Sequence, residues 1–335
     1  MATIFPDGYK SPLSVIETEN AIRDLRRHFE ESLCKGLSLI RASAPLFVLP
    51  ETGLNDNLSG SERPVTFDIP DLDGKYAEIV HSLAKWKRYA LGKYGFPIGE
   101  GMCTEMNAIR REEVTDNIHS IYVDQWDWEK AISREQRTVE TLQATVRTIY
   151  GALKQTEAFV HSRYGGLKPL LPENITFVTS QEMEDEMPGA SPEEREYAFA
   201  KKYGAIFVMQ IGKKLNSGQK HGGRAPDYDD WELNGDIIVY YPLLDIAVEL
   251  SSMGVRVDES RLEKQLTEIG GLERLKLPYH KAIMNGELPF SVGGGIGQSR
   301  VCMVLLQKAH VGEVQCGIWR EDTVNECEKR GIELL

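Results

Sequence analysis

Extended segments arrive in runs along this chain. Candidate strands occupy residues 76–80, 103–109, 118–125, 205–211, 236–243 and 248–257, and helices are expected at 82–94, 134–164, 192–203, 259–268 and 296–308. A doubly wound parallel sheet needs a helix between successive strands, so this order predicts an α+β fold built on an antiparallel-rich sheet flanked by helices. The first periodic segment is an amphipathic helix at 15–34, where Ile22, Leu25, Phe29 and Leu33 recur at three- and four-residue intervals and Gly36 suits its end. A strand at 37–48 follows, interrupted at Pro45 as a sheet edge or bulge tolerates, and such a helix and edge strand suit a dimer seam. No repeat or linker-like tract divides the chain, so residues 1–335 read as one domain, with polar, Gly-rich loops at 49–61 and 216–230.

An apolar fraction of 41% over 335 residues is enough for a sizeable core and argues against disorder. Counting 39 Lys and Arg against 51 Asp and Glu gives a net charge of −12, which disfavours phosphate polymers and anionic membranes as partners. A small anion would need a local basic cleft. Cys34, Cys103, Cys302, Cys316 and Cys327 are widely spaced and form no CxxC pair, so neither a zinc cluster nor a disulfide framework is expected. Residues 1–10 lack a basic segment followed by an apolar one, and no stretch approaches the ~18 apolar residues of a membrane span. The expectation is a cytoplasmic enzyme without nucleic-acid or membrane partners.

Two glycine patterns fail the tests of common nucleotide sites. Gly212-Lys213-Lys214 has Phe207 where a phosphate loop needs Gly, and Lys214 where it needs Ser or Thr. Gly293-Gly294-Gly295-Ile296-Gly297-Gln298-Ser299-Arg300 lacks the downstream βαβ unit of a dinucleotide fold. It offers instead a strand end of little bulk leading into an apolar helix near Ile296, whose free amides attract phosphate, with Arg300 about one turn in. Arg110 in Ala108-Ile109-Arg110-Arg111-Glu112 sits at a predicted strand end, where its guanidinium can offset charge on an α-phosphate, while Glu112 receives an amino group or organises the turn. In Val248–Arg256, alternation puts Glu249 and Ser251 on one face, and Glu249 with Asp236 suits Mg²⁺ between phosphate oxygens. The plainer readings are a solvated turn at Arg110, an Asx-turn at Asp56, a solvated helix face at Lys85, Lys87 and Arg88, and core anchors at Trp86, Trp126 and Trp128.

Taken together, the helix with its Pro-bearing strand, the Arg-x-Glu element and the Gly-x-Gly-x-x-Arg helix start resemble class II aminoacyl-tRNA synthetases. Longer stretches are similar to ammonia-dependent asparagine synthetase of the A type, or aspartate–ammonia ligase. They are Asn55-Asp56-Asn57-Leu58-Ser59-Gly60, His81-Ser82-Leu83-Ala84-Lys85-Trp86-Lys87-Arg88 and Tyr122-Val123-Asp124-Gln125-Trp126-Asp127-Trp128, then Arg224-Ala225-Pro226-Asp227-Tyr228-Asp229-Asp230-Trp231 and Glu249-Leu250-Ser251-Ser252-Met253-Gly254. This resemblance implies a homodimer with a class II synthetase-like antiparallel sheet, making L-asparagine from L-aspartate, ammonia and ATP through a β-aspartyl-adenylate, with AMP and diphosphate released. By the same resemblance Arg110, Gln125 and Asp56 are catalytic, stabilising the α-phosphate, donating to the reacting carbonyl and holding or deprotonating ammonium. Lys87, Asp127, Ser251, Ser252 and Arg256 bind aspartate or the adenylate; Asp229, Gly295, Gly297 and Arg300 bind ATP; and Asp236 and Glu249 hold Mg²⁺. The alternatives are a class II aminoacyl-tRNA synthetase paralogue, for which no RNA-reading appendage is evident, and a non-catalytic regulator, which would be expected to lose Asp56, Arg110, Gln125 and Arg300. Ala2 at the second position gives no amidotransferase nucleophile, so ammonia is the expected nitrogen donor.

Overall fold

A computed structural model describes residues 3–56, 58 and 62–335, so Asn57, Ser59 and Gly60 of the motif at 55–60 lie outside the described residues. In chain order the elements are α1 (Val15–Leu37), β1 (Leu39–Arg41), β2 (Phe47–Val48), β3 (Thr66–Ile69), β4 (Lys75–Ile79), α2 (Ala84–Tyr94), β5 (Gly101–Ile109) and β6 (Tyr122–Ala131). There follow α3 (Val139–Arg163), β7 (Thr176–Thr179), α4 (Ser180–Glu186), α5 (Pro192–Tyr203), β8 (Ala205–Met209), β9 (Asp229–Tyr241), β10 (Ile246–Arg256), α6 (Glu259–Ile269), α7 (Pro278–Met284), β11 (Ser291–Gly297), α8 (Gln298–Leu305) and α9 (Glu321–Arg330). An eight-stranded sheet runs β1-β5-β6-β11-β10-β9-β8-β7, and a separate three-stranded sheet runs β2-β4-β3. From β5 through to β8 every pairing in the large sheet is antiparallel; only the edges β1 and β7 pair parallel, with β5 and β8. The fold is therefore the expected α+β arrangement, with a mixed rather than uniformly antiparallel sheet.

Local chemistry explains the boundaries. Ser14 and Glu17 form a reciprocal capping box that starts α1, whose buried stripe of Ala21, Ile22, Leu25, Phe29, Leu33 and Leu37 packs into the main core with Trp126 and Trp128. Gly36 does not end this helix. A Cβ there would lie 2.8 Å from Thr148 Cγ2 of α3, so the glycine permits close helix packing, and Ser38, left-handed at φ 60°, supplies the cap. Pro45 separates two strands of different sheets, β1 and β2, instead of interrupting one. Residues 118–120, expected in a strand, form a turn in which Asp116 Oδ1 accepts from the Ile118 and His119 amides at 2.9 Å.

Three larger corrections concern charge and glycine. Strand β6 runs on past Gln125 to Ala131, because Asp127 and Glu129 are paired inside the fold. β9 likewise begins at Asp229, within the stretch expected to be loop. The glycine run is itself the central strand β11, with Ile296 in the core, and the helix starts only at Gln298. No described helix is long and apolar enough to cross a membrane.

Candidate active site

A cleft of about 820 Å³ opens over the middle of the large sheet. Its floor is a ladder of matched positions: Gln125 lies opposite Gly297 and Asp127 opposite Gly295, while Gly295 on its other side faces Ser252, which in turn pairs with Asp236. Period two therefore brings these residues from β6, β11, β10 and β9 onto one face. Of the fourteen residues expected to form a site, all but Ser251 and Asp236 line this cleft.

Glycine in β11 makes room for the polar groups beside it. A Cβ on Gly295 would stand 2.4 Å from Gln125 Oε1 and 2.8 Å from Asp127 Oδ1, and one on Gly293 would stand 1.8 Å from Glu129 Oε2. A side chain at either glycine would displace the polar groups beside it.

Lys85, Lys87 and Arg88 overturn the solvated-face reading of α2, because all three are buried. Lys87 Nζ binds Asp127 Oδ2 at 2.8 Å and donates to the Gly294 carbonyl at 2.7 Å. The other Asp127 oxygen, Oδ1, is buried without a partner among the described residues, an acceptor held ready in the cleft. Lys85 pairs with Asp227 at 2.9 Å, where His280 Nε2 also lies 3.0 Å away; burial favours the neutral acid, but Lys85 and His280 hold Asp227 well below the usual carboxylate range. Arg88 donates to the Pro289 and Val257 carbonyls. Trp86, Trp126 and Trp128 are buried core residues, as the plainer reading had it.

Arg256 is buried and already engaged. Its Nε and Nη2 donate to Glu129 at 2.9 and 2.7 Å, and Nη1 donates to Asp229. Of its five N–H donors, one on each terminal nitrogen remains. Glu129 also accepts from Ser291 Oγ at 2.7 Å; burial would raise its pKa, but the Arg256 guanidinium outweighs burial and holds it below the ordinary value.

Arg224 forms a second hub. It donates to Ser252 Oγ, to the Gly235 carbonyl at 3.0 Å and to Asp236 Oδ1 at 2.7 Å, and its Nε lies 3.5 Å from Asp229. Asp236 consequently sits beneath a guanidinium instead of facing the open cleft. Burial, joined by repulsion from Glu249 and opposed by Arg224, pushes its pKa up to about 7. Asp236 and the neighbouring Glu249 together offer carboxylate oxygens, a donor set that suits a hard cation, although among the described residues no three His, Cys, Asp or Glu side chains gather as a self-sufficient metal site.

On β10 the alternation argument fails locally. A bulge between Glu249 and Ser251 shifts the register against β9, so Ser252, not Ser251, joins Glu249 in the cleft. Ser251 is buried opposite Ile296, with its hydroxyl donating to the Gly295 carbonyl at 3.0 Å. Arg300, in the first turn of α8, donates to the Ile118 and Glu249 carbonyls at 3.1 Å and so fixes the cleft's end.

At the other end Asp56 is buried. Oδ2 accepts from Ser82 Oγ at 2.8 Å and Tyr228 Oη at 2.9 Å, and Oδ1 from the Leu58 amide at 2.9 Å. Arg110 lines the cleft with its Nε buried and unpartnered among the described residues. Glu112, expected beside it, instead pairs with Arg63 at 2.7 Å and does not line the cleft.

Glu129, Arg224, Tyr228 and Ser82 had no role assigned from sequence alone. Glu129 carried a usable signal, since it continues the period-two series Gln125, Asp127 on β6. The other three depend on contacts between distant segments.

The chain is similar over almost its whole length to known proteins. The family described as aspartate-ammonia ligase matches residues 16–331. An aspartate–ammonia ligase of Clostridium perfringens is 58% identical over 330 residues, covering 98% of both chains, and one of Ruminiclostridium cellulolyticum is 57% identical over 332 residues, covering 99% of both. Among solved structures, asparaginyl-tRNA synthetase from Pyrococcus horikoshii complexed with asparaginyl-adenylate superposes with a TM-score of 0.65 at 13% identity, covering 90% of this chain and 70% of that one. That likeness identifies the class II synthetase fold, and the whole-length identity identifies the family: the chain belongs to the aspartate–ammonia ligases.

Proposed function

We propose that this chain makes L-asparagine from L-aspartate, ammonia and ATP through a β-aspartyl-adenylate, releasing AMP and diphosphate. Family membership over almost the whole chain supports the reaction, and the unpartnered Asp127 Oδ1 beside Lys87 is the observation that supports an amino-acid substrate. A carboxylate resists ammonia because it is negatively charged and lacks a good leaving group; joining it to AMP removes both obstacles.

In this reading Asp127 Oδ1 receives the substrate α-amino group, while the remaining protons of Lys87 and Arg256 meet its α-carboxylate. Ser252 contributes to the same pocket, and Ser251 supports its floor from below. Arg110, whose Nε has no partner among the described residues, offsets the charge that grows on the α-phosphate as the β-carboxylate attacks it. Gln125 donates to the carbonyl oxygen that becomes negative when nitrogen adds. Asp56 holds ammonium and takes its proton, so that neutral ammonia attacks the mixed anhydride and AMP departs. Arg300, Asp229, Gly295 and Gly297 form the ATP side.

Mg²⁺ is proposed to accompany ATP, held by Glu249 with Asp236, whose chemistry suits hard cations; bound there it would screen phosphate charge. Homodimer formation and a cytoplasmic location complete the proposal.

The test is isotope exchange. With Mg²⁺, ATP and L-aspartate the protein should exchange labelled diphosphate into ATP without tRNA, and should form asparagine and AMP only when ammonium is added. Release of ADP, or a requirement for tRNA, would refute the reading. Light scattering on a sizing column should give twice the mass of 37.7 kDa.

A further inference from the structure

Three consecutive residues before and at the start of β9 tie one loop to four separate parts of the molecule. Asp227 is held by Lys85 of α2 and His280 of α7, and Asp229 by Arg256 of β10. Tyr228, between them, reaches Asp56 from 172 residues away in sequence, donating to Oδ2 at 2.9 Å. Its ring also lies 5.5 Å from the Arg256 guanidinium carbon. The loop therefore connects Arg256, proposed to meet the amino-acid substrate, with the Asp56 carboxylate.

Asp56 takes part of its orientation from groups far away in sequence. Among the described residues the Leu58 amide bonds to its side chain from nearby sequence, and the distant hydroxyls of Ser82 and Tyr228 both converge on Oδ2. A carboxylate oxygen with two such donors keeps little freedom to turn, while among the described residues Oδ1 accepts from the Leu58 amide alone. Burial, reinforced by the Asp56 and Asp229 charges, raises the Tyr228 phenol well above its usual pKa, so it remains a neutral donor with one proton to give. That proton is committed to Asp56.

We propose that Tyr228 and Ser82 are positioning residues for the nitrogen-capturing step: they aim the Asp56 carboxylate at incoming ammonium and serve that step more than adenylate formation. This rests on the function proposed above and adds to it the pair of hydroxyls that builds the ammonium subsite. Because Tyr228 is flanked by Asp227 and Asp229, both anchored in ion pairs, its hydroxyl holds a fixed height above Oδ2. The ammonium subsite is thereby assembled by the same loop that braces Arg256.

The experiment compares two activities in each variant: ATP–diphosphate exchange with aspartate and no ammonium, and asparagine synthesis as ammonium is varied. Tyr228→Phe removes one hydroxyl and keeps the ring over Arg256. It is expected to raise the KM for ammonium by about tenfold to a hundredfold, the factor that corresponds to loss of one hydrogen bond to a charged acceptor, with a much smaller loss of exchange. Ser82→Ala should do the same and Ser82→Thr, which keeps the hydroxyl, should restore most of it. Should Tyr228→Phe fail to fold, the Ser82 pair carries the test unaided. Equal loss of exchange and synthesis in both variants, or an unchanged KM for ammonium, would overturn the proposal. If the wild-type protein gives no exchange and no asparagine, the functional reading itself falls, which is distinct from its failing in the variants alone.

Discussion

Glu129→Gln isolates how much the buried ion pair under the cleft contributes. In the wild type the carboxylate accepts from Arg256 Nε and Nη2 and from Ser291 Oγ, in a space that exists because Gly293 has no Cβ. Glutamine preserves the shape, but it removes the charge and turns an N–H donor towards groups that are donors themselves. Arg256 keeps Asp229 and loses its bidentate partner. Removing one member of a buried pair costs about 3–5 kcal/mol. Unfolding entropy of ~2.1 cal/mol/K per residue over 335 residues gives about 0.7 kcal/mol/K, so the melting temperature should fall by ~4–7 °C. Calorimetry would measure this, with Glu326→Gln as control; Glu326 serves exposed Lys329 and Arg330, and that change should cost less than ~1 kcal/mol. A fall below ~1.5 °C for Glu129→Gln, equivalent to about 1 kcal/mol, would refute the reasoning, because Asp229 alone would then satisfy the guanidinium.

Two further predictions follow from the same geometry and from a buried histidine. Gly295→Ala places a methyl 2.4 Å from Gln125 Oε1 and should cut asparagine synthesis by more than ~100-fold, the scale of losing an oriented donor, while circular dichroism stays native. His310 is buried, accepts from the Gly312 amide at 3.0 Å, and burial pushes its pKa down to about 4. Above pH 6.5 neither folded nor unfolded state carries this proton; as pH falls from there towards 4 only the unfolded state gains it, so stability drops by up to about 3 kcal/mol. His310→Asn should flatten that part of the stability–pH curve, measured by urea titration; an unchanged slope would refute the assignment.

Much of the fold was legible because period and order survive packing. The stripe of α1, the runs of strands and the helices at 192–203 and 259–268 follow from local pattern alone. Charge misled where it was paired at long range. Asp127 and Glu129 hid the second half of β6, and Lys85, Lys87 and Arg88 mimicked a wet helix face, because their partners lie far away in sequence. Motif resemblance named residues of which all but Ser251 and Asp236 line one cleft, but the face each occupies was not legible: one bulge exchanged Ser251 for Ser252, and a guanidinium that local sequence could not locate covered Asp236.

The strand order carries a consequence for how the polypeptide is made. β11 is the last strand in sequence, yet it sits between β6 and β10. Until residue 297 has been synthesised, the large sheet exists only as two groups, β1-β5-β6 and β10-β9-β8-β7, each with an open inner edge. A chain broken off before Ser291 is thus not a smaller enzyme but two unjoined half-sheets prone to pair with the wrong neighbour. The glycines that leave room for the cleft's polar groups also close the seam, and neither task can begin until β11 has been made.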